Sequence, residues 1–111
     1  MQKNKQFSVY WFDPEPTVGA ELRKVRPCVV VSPEVMNEVV STVVIVPLTS
    51  TSKSWPFRTN ITVDGKKSNA ACDQIRAVDK SRLKDYIASL SAGDSEAVLR
   101  ILQQTFTDYL V

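Results

Sequence analysis

Residues 25–33 read VRPCVVVSP. Val29, Val30 and Val31 form an unbroken apolar run, the pattern of a strand buried on both faces rather than one. Pro27 fits the first position of such a strand, where a missing N–H costs least. Arg26 stands at the entrance, and a strand that disappears into a core has no evident use for a guanidinium there. Two readings follow. Arg26 closes the strand as a solvated charge, or it is held on a rigid base to meet an anion.

Outward from this strand, the chain alternates strand and punctuation. FSVYWFD at 7–13 is aromatic and β-branched and predicts a first strand. PEPTVGAELRKV at 14–25 carries two prolines, a glycine and four charges, and predicts a long exposed loop. Such loops are uncommon in small domains and are often functional. After the quoted strand, PEVMNEVVS reads as a connector with a helical turn, TVVIVPL at 42–48 as a third strand, and TSTSKSWP at 49–56 as a polar loop. FRTNITV at 57–63 alternates, with Phe57, Thr59, Ile61 and Val63 on one face, as a half-buried antiparallel strand does. Asp64-Gly65 is a hairpin signal. NAACDQIRAV at 69–78 predicts a strand pair or one bent strand, and DKSRL at 79–83 a short helical turn capped by Asp79. Val98, Ile101, Leu102, Thr105 and Tyr109 follow helical spacing behind the start signal of Ser91 and Asp94. The predicted fold is mainly β: five to seven short strands curling into a small barrel, then a C-terminal helix packed on it.

The totals bound the function. A length of 111 residues fits a single domain over 1–111. With 43% hydrophobic and 23% charged residues the chain is built to fold rather than to stay disordered. A net charge of +2 is too small to mark a nucleic-acid binder in bulk, so a polyanion would have to be met by a local cluster. No apolar run approaches the length of a membrane span. The start, MQKNKQFSVY, lacks the apolar stretch of a signal peptide. The chain is therefore read as cytoplasmic. The absence of histidine removes the commonest general acid–base and the commonest metal ligand. The two cysteines, Cys28 and Cys72, sit in strand-like stretches and read as buried reduced thiols, so a four-ligand zinc site would have to lean on carboxylates. Neither a metal site nor a cofactor is expected.

Three blocks, DPEPTVGAELRKVRPCVVVSPEVMN, then VPLTSTSKSWPF, then DQIRAVDKSRL, resemble in order and spacing the MazF/PemK toxins of bacterial toxin–antitoxin pairs. The resemblance runs from about Tyr10 to about Leu102. Those proteins are similar to CcdB in fold, which implies a compact SH3-like β-barrel with a C-terminal helix, acting as a homodimer. It implies a sequence-specific, metal-independent endoribonuclease that cuts single-stranded RNA to 2′,3′-cyclic phosphate and 5′-hydroxyl ends, inhibiting translation and growth. A cognate antitoxin would neutralise it, an acidic extended tail occupying the RNA groove. Carried over by motif, the arginine of the RP block is Arg26, the threonine of the PLTS block is Thr49, and the glutamate of the G-x-E block is Glu21. The chain departs from the pattern at Ala20, where some members have histidine, at Ala71, where some have arginine, and at Leu22, which breaks the usual Glu-Gln pair. A mechanism built on that histidine or that arginine does not transfer.

The chemistry assigns these residues distinct tasks. RNA is cut when its 2′-hydroxyl attacks the adjacent phosphorus, a route closed to DNA. Arg26 suits the charge that builds on phosphorus, because a guanidinium offers a planar fork and donates protons poorly. Thr49 is a phosphate hydrogen-bonder, or else a turn-forming threonine. Glu21 is the candidate base, or else a solvated partner of Arg23 or Lys24, with Asp73 and Asp79 as weaker alternatives. Lys53, Trp55 and Arg58, with Ser50 beside Thr49, make a candidate RNA-binding cluster in which a base stacks on Trp55; Trp55 as a core or dimer contact is the competing reading. Two other functions compete. One is a CcdB-type gyrase poison without ribonuclease activity, which would use C-terminal residues, where TDYLV supplies no evident motif. The other is a plain SH3-like adaptor.

Overall fold

The computed structural model describes residues 5–14, 25–50 and 55–107. Seven strands form one antiparallel sheet: β1 (Ser8–Phe12), β2 (Arg26–Val30), β3 (Thr42–Thr49), β4 (Arg58–Val63), β5 (Lys66–Ala71), β6 (Arg76–Asp79) and β7 (Leu83–Ser89). A single helical turn, α1 (Glu34–Asn37), joins β2 to β3, and α2 (Ala92–Thr105) follows β7. The strand order is β4-β5-β3-β2-β1-β7, with β6 also paired to β3.

The quoted stretch behaves as its pattern requires. Cys28, Val29 and Val30 are fully buried. Alternation sends Val29 and Val31 into a cluster with Val9, Val46, Leu48, Ile61, Val98 and Leu102. It sends Cys28 and Val30 to the other side, with Tyr10, Phe12, Val43, Ile45 and Val78. Burying each such valine contributes on the order of 2 kcal/mol. The strand begins one residue earlier than Pro27, so Arg26 is part of the ladder, paired with Phe12.

The strand β3 is long because it has three neighbours. One edge pairs with β2. Along the other, Thr42–Ile45 pair with β6 and Leu48–Thr49 pair with β5. Pro47 falls at the changeover, where a ladder hydrogen bond is dispensable. The stretch 69–78 is thus two strand segments rather than one bent strand: β5 and β6 are joined by a tight 3-10 corner, Cys72–Gln74, and each pairs with β3. Cys72 lies in that corner rather than in a strand.

The remaining turns follow local chemistry. Asp64 and Gly65 both adopt left-handed backbone (φ 51° and 79°), the turn that matches the twist of the β4–β5 hairpin. Asp79 accepts a hydrogen bond from the Ser81 N–H at 2.9 Å, capping the short turn before β7. Ser91 caps α2 by accepting from the Asp94 N–H at 3.1 Å. Val98 and Leu102 bury one face of α2 against the sheet. Strand β7 carries no fully buried residue. It is held by β1, with two irregularities in register and an edge-to-face contact between Tyr10 and Tyr86. No helix of the described residues is long and apolar enough to cross a membrane.

Candidate RNA-cleavage site

Arg26 and Thr49 come together through strand register. Cys28 faces Pro47 across β2 and β3. Carried two residues further along each strand, the same register brings Arg26 opposite Thr49 and on the same face. Both line a cleft of about 450 Å³ with Pro27, Leu48, Ser50 and Ser68. Arg26 is exposed, and its guanidinium has no hydrogen-bond or ion-pair partner among the described residues. Pairing of β2 with β1 and β3 gives the Arg26 side chain a fixed backbone from which to reach an anion.

The cleft continues. Ser50 and Ser68 also border a second hollow of about 300 Å³, with Asn60, Thr62, Lys67 and Asn69. Thr49 pairs with Asn69 and Asn69 with Asn60, so three strands carry a polar row on one face. The Asn69 Nδ2 donates to Asn60 Oδ1 at 3.0 Å, while the buried Asn69 Oδ1 has no partner. A larger groove of about 610 Å³ lies between Pro56–Phe57 and α2. Its one cation, Arg100, sits 3.4 Å from Glu96.

The predicted cluster around Trp55 has a different character from the cleft. Arg58 donates from Nε to Asp73 Oδ1 at 2.9 Å and from Nη2 to Oδ2 at 3.2 Å. Those hydrogen bonds hold the Asp73 carboxyl below the usual carboxylate range and raise the Arg58 guanidinium. Asp73 is thereby committed to an ion pair. Asp79 is likewise held low, chiefly by the Ser81 N–H that it caps. Trp55 is exposed and lies 4.6 Å from the Arg58 guanidinium carbon, measured to the ring centroid. Glu21 and Lys53 lie outside the described residues. Both cysteines are buried and unbonded, Cys28 pushed up to about 12 and Cys72 to about 11, each chiefly by burial. Among the described residues, no group of three or more His, Cys, Asp or Glu is arranged to hold a metal ion.

Sequence reasoning had no access to Ser68, Asn60, Asn69 and Lys67 as cleft residues. The β3–β5 and β4–β5 registers place them, and nothing in their local sequence announces it.

The chain resembles known proteins over most of its length. Residues 5–106 match the family model described as PemK-like, MazF-like toxin of type II toxin–antitoxin systems. The chain is 30% identical over 105 residues to Endoribonuclease EndoA of Bacillus subtilis, covering 89% of this chain and 90% of that protein. It is 34% identical over 68 residues to Endoribonuclease toxin MazF of Escherichia coli, covering 61% of each. Among solved structures, MazE–MazF from Deinococcus radiodurans superposes with a TM-score of 0.77 at 26% identity, over 91% of this chain and 93% of that one. A mycobacterial endoribonuclease in complex with its cognate antitoxin shares the fold, with a TM-score of 0.76 at 22% identity over 90% of this chain and 91% of that one. The chain belongs to the PemK-like, MazF-like toxins of type II toxin–antitoxin systems, a family whose named relatives here are endoribonucleases.

Proposed function

We propose that this toxin cuts single-stranded RNA by attack of a 2′-hydroxyl on the adjacent phosphorus, leaving 2′,3′-cyclic phosphate and 5′-hydroxyl ends. The observation that carries the reading is that Arg26, whose guanidinium has no partner among the described residues, lines one cleft with Thr49. Arg26 binds two phosphate oxygens and stabilises the charge that develops on phosphorus, a contribution of a few kcal/mol in such sites. Thr49 hydrogen-bonds a phosphate oxygen from the end of β3, with Ser50 beside it. Glu21 removes the 2′-hydroxyl proton. Lys53 and Trp55 bind flanking nucleotides, and the polar row of Thr49, Asn69 and Asn60 crosses from β3 to β4 beside the cleft.

The reaction needs no metal ion and no cofactor in this reading, since the attacking hydroxyl belongs to the substrate. The toxin works as a cytoplasmic homodimer and is neutralised by an antitoxin whose acidic extended tail competes for the cleft. Solved relatives in complex with their antitoxins support that partner. Membership of the ribonuclease family, together with the Arg26–Thr49 cleft, favours this function over gyrase poisoning.

Incubating the purified protein with a long natural RNA in EDTA, and then mapping the ends, tests the proposal. Cyclic-phosphate termini at recurrent sequences are expected. RNA left intact in EDTA, or 3′-hydroxyl ends, would count against it.

A further inference from the structure

We infer that Arg58 and Asp73 are the rigid underside of a stacking platform, with Trp55 as its surface, for an unpaired nucleobase of RNA bound across the cleft. This rests on the ribonuclease reading above and assigns Arg58 a positioning role within it, not a phosphate contact.

Three contacts hold Trp55, and one of them is itself braced by Asp73. The two-pronged pair with Asp73, at 2.9 and 3.2 Å, fixes the plane of the Arg58 guanidinium. That guanidinium lies 4.6 Å from the indole centroid, within the range of a cation–π contact. The Arg58 N–H donates to the Trp55 carbonyl at 3.0 Å, closing the turn that carries the indole. Phe57 leans on the same ring, its centroid 5.3 Å away and tilted by 36°. The Arg58 side chain is only 9% exposed, and turning it toward a phosphate would break both bonds to Asp73. Trp55, in contrast, keeps 39% of its surface open.

The position suits a base beside the cut. Thr49, Asn69 and Asn60 form one cross-strand row over β3, β5 and β4. Adjacent strands lie about 4.8 Å apart, so the row is roughly 10 Å wide. Arg58 is two residues from Asn60 on β4 and shares its face. A single strand whose phosphate sits at Arg26 and Thr49 therefore passes the platform within a few nucleotides. An exposed indole braced from below takes any base by its π-face, with little demand on sequence.

The experiment uses the Trp11→Phe protein, in which Trp55 is the sole tryptophan, because the chain has two. The probe is a short oligoribonucleotide spanning a mapped cut, with a 2′-deoxy nucleotide at the cut to keep it whole; if nothing is cut, a random pool of the same length replaces it. Trp55 fluorescence is expected to fall on binding. Arg58→Lys keeps the charge but loses the planar fork, and Asp73→Asn loses the brace. Each is expected to raise KM roughly fivefold with kcat little changed, the scale of one weakened base stack. The dependence of log affinity on log salt should match the parent in Arg58→Gln. A phosphate-binding Arg58 would instead reduce that slope by about 0.7. A reduced slope with unchanged binding by Asp73→Asn overturns the platform, as does Trp55 emission indifferent to bound RNA. Melting curves identify a variant that has lost its fold, and Arg58→Lys then carries the test. Quenching without cleavage removes the ribonuclease reading and leaves the platform standing, whereas cleavage with silent Trp55 removes the platform alone.

Discussion

Asp94 Oδ2 accepts a hydrogen bond from the backbone N–H of Thr62 at 2.9 Å. One acidic residue in the first turn of α2 thereby satisfies an outward N–H of β4 while its own N–H is held by Ser91. The C-terminal helix is pinned to the edge of the sheet by this polar contact as well as by Val98 and Leu102.

Asp94→Ala is expected to lower stability by about 1–2 kcal/mol, since it strands a backbone donor and removes a favourable charge at a helix start. Ser91→Ala should cost about 1 kcal/mol through the lost cap. Urea midpoints measure both. Wild-type stability in Asp94→Ala would show that water replaces the carboxylate without penalty.

Arg26→Ala is expected to cut the rate of RNA cleavage by roughly a hundred- to a thousandfold, with an unchanged melting temperature, because the side chain is exposed and supports nothing in the core. Arg26→Lys should recover only part of the loss, since an ammonium lacks the two-pronged fit to phosphate. Thr49→Val tests the hydroxyl with little change in volume and should lower kcat. Full activity in Arg26→Ala would remove its assigned role.

With no histidine in the chain, the pH–rate profile should lack an imidazole limb near pH ~6.5. An acidic limb should belong to a carboxylate and disappear in Glu21→Gln, along with most of the rate. Cleavage at the normal rate by Glu21→Gln would transfer the role of base to another group.

Acid stability follows from Asp73 and Asp79, both of which titrate below their ordinary range in the folded protein. A depressed folded pKa contributes stability above the unfolded value and loses it as pH falls through the folded one. The unfolding free energy should therefore be flat through neutral pH with respect to these groups and should fall below about pH 4. Asp73→Asn should flatten that fall. An equally steep decline in the variant would assign it to other carboxylates.

The two thiols are buried, with ionisation pushed up to about 12 at Cys28 and about 11 at Cys72. A thiolate-specific reagent at pH 8 should leave the folded protein unmodified and label both cysteines on unfolding. Rapid labelling of the native protein would reveal local opening around β2 or the Cys72 corner.

Much of the fold was legible in the sequence because it is written in local patterns. The apolar run after Pro27, the alternation of Ile61 and Val63, the Asp64-Gly65 turn and the Ser91 start signal each act over a few residues. Strand β7 was not legible. LKDYIAS has exposed Lys84, Asp85 and Tyr86 in succession, and its strand character comes from β1, more than seventy positions away. The Cys72 corner was hidden for a similar reason: it exists because β3 changes neighbours at Pro47. At the site, residue types were readable but pairings were not. Arg58 reads as a free cation until the corner at Cys72 swings Asp73 beneath it. Arg26 and Thr49 become one site only through the register of β2 and β3.

The pairing of Ser8 with Ser89 also has a temporal meaning. A polypeptide emerges from the ribosome amino end first, and contacts distant along the chain form late and slowly. The opening strand therefore waits beside an empty edge until β7, at Leu83–Ser89, has been made. A chain that stops short of β7 is born with that edge of β1 unpaired.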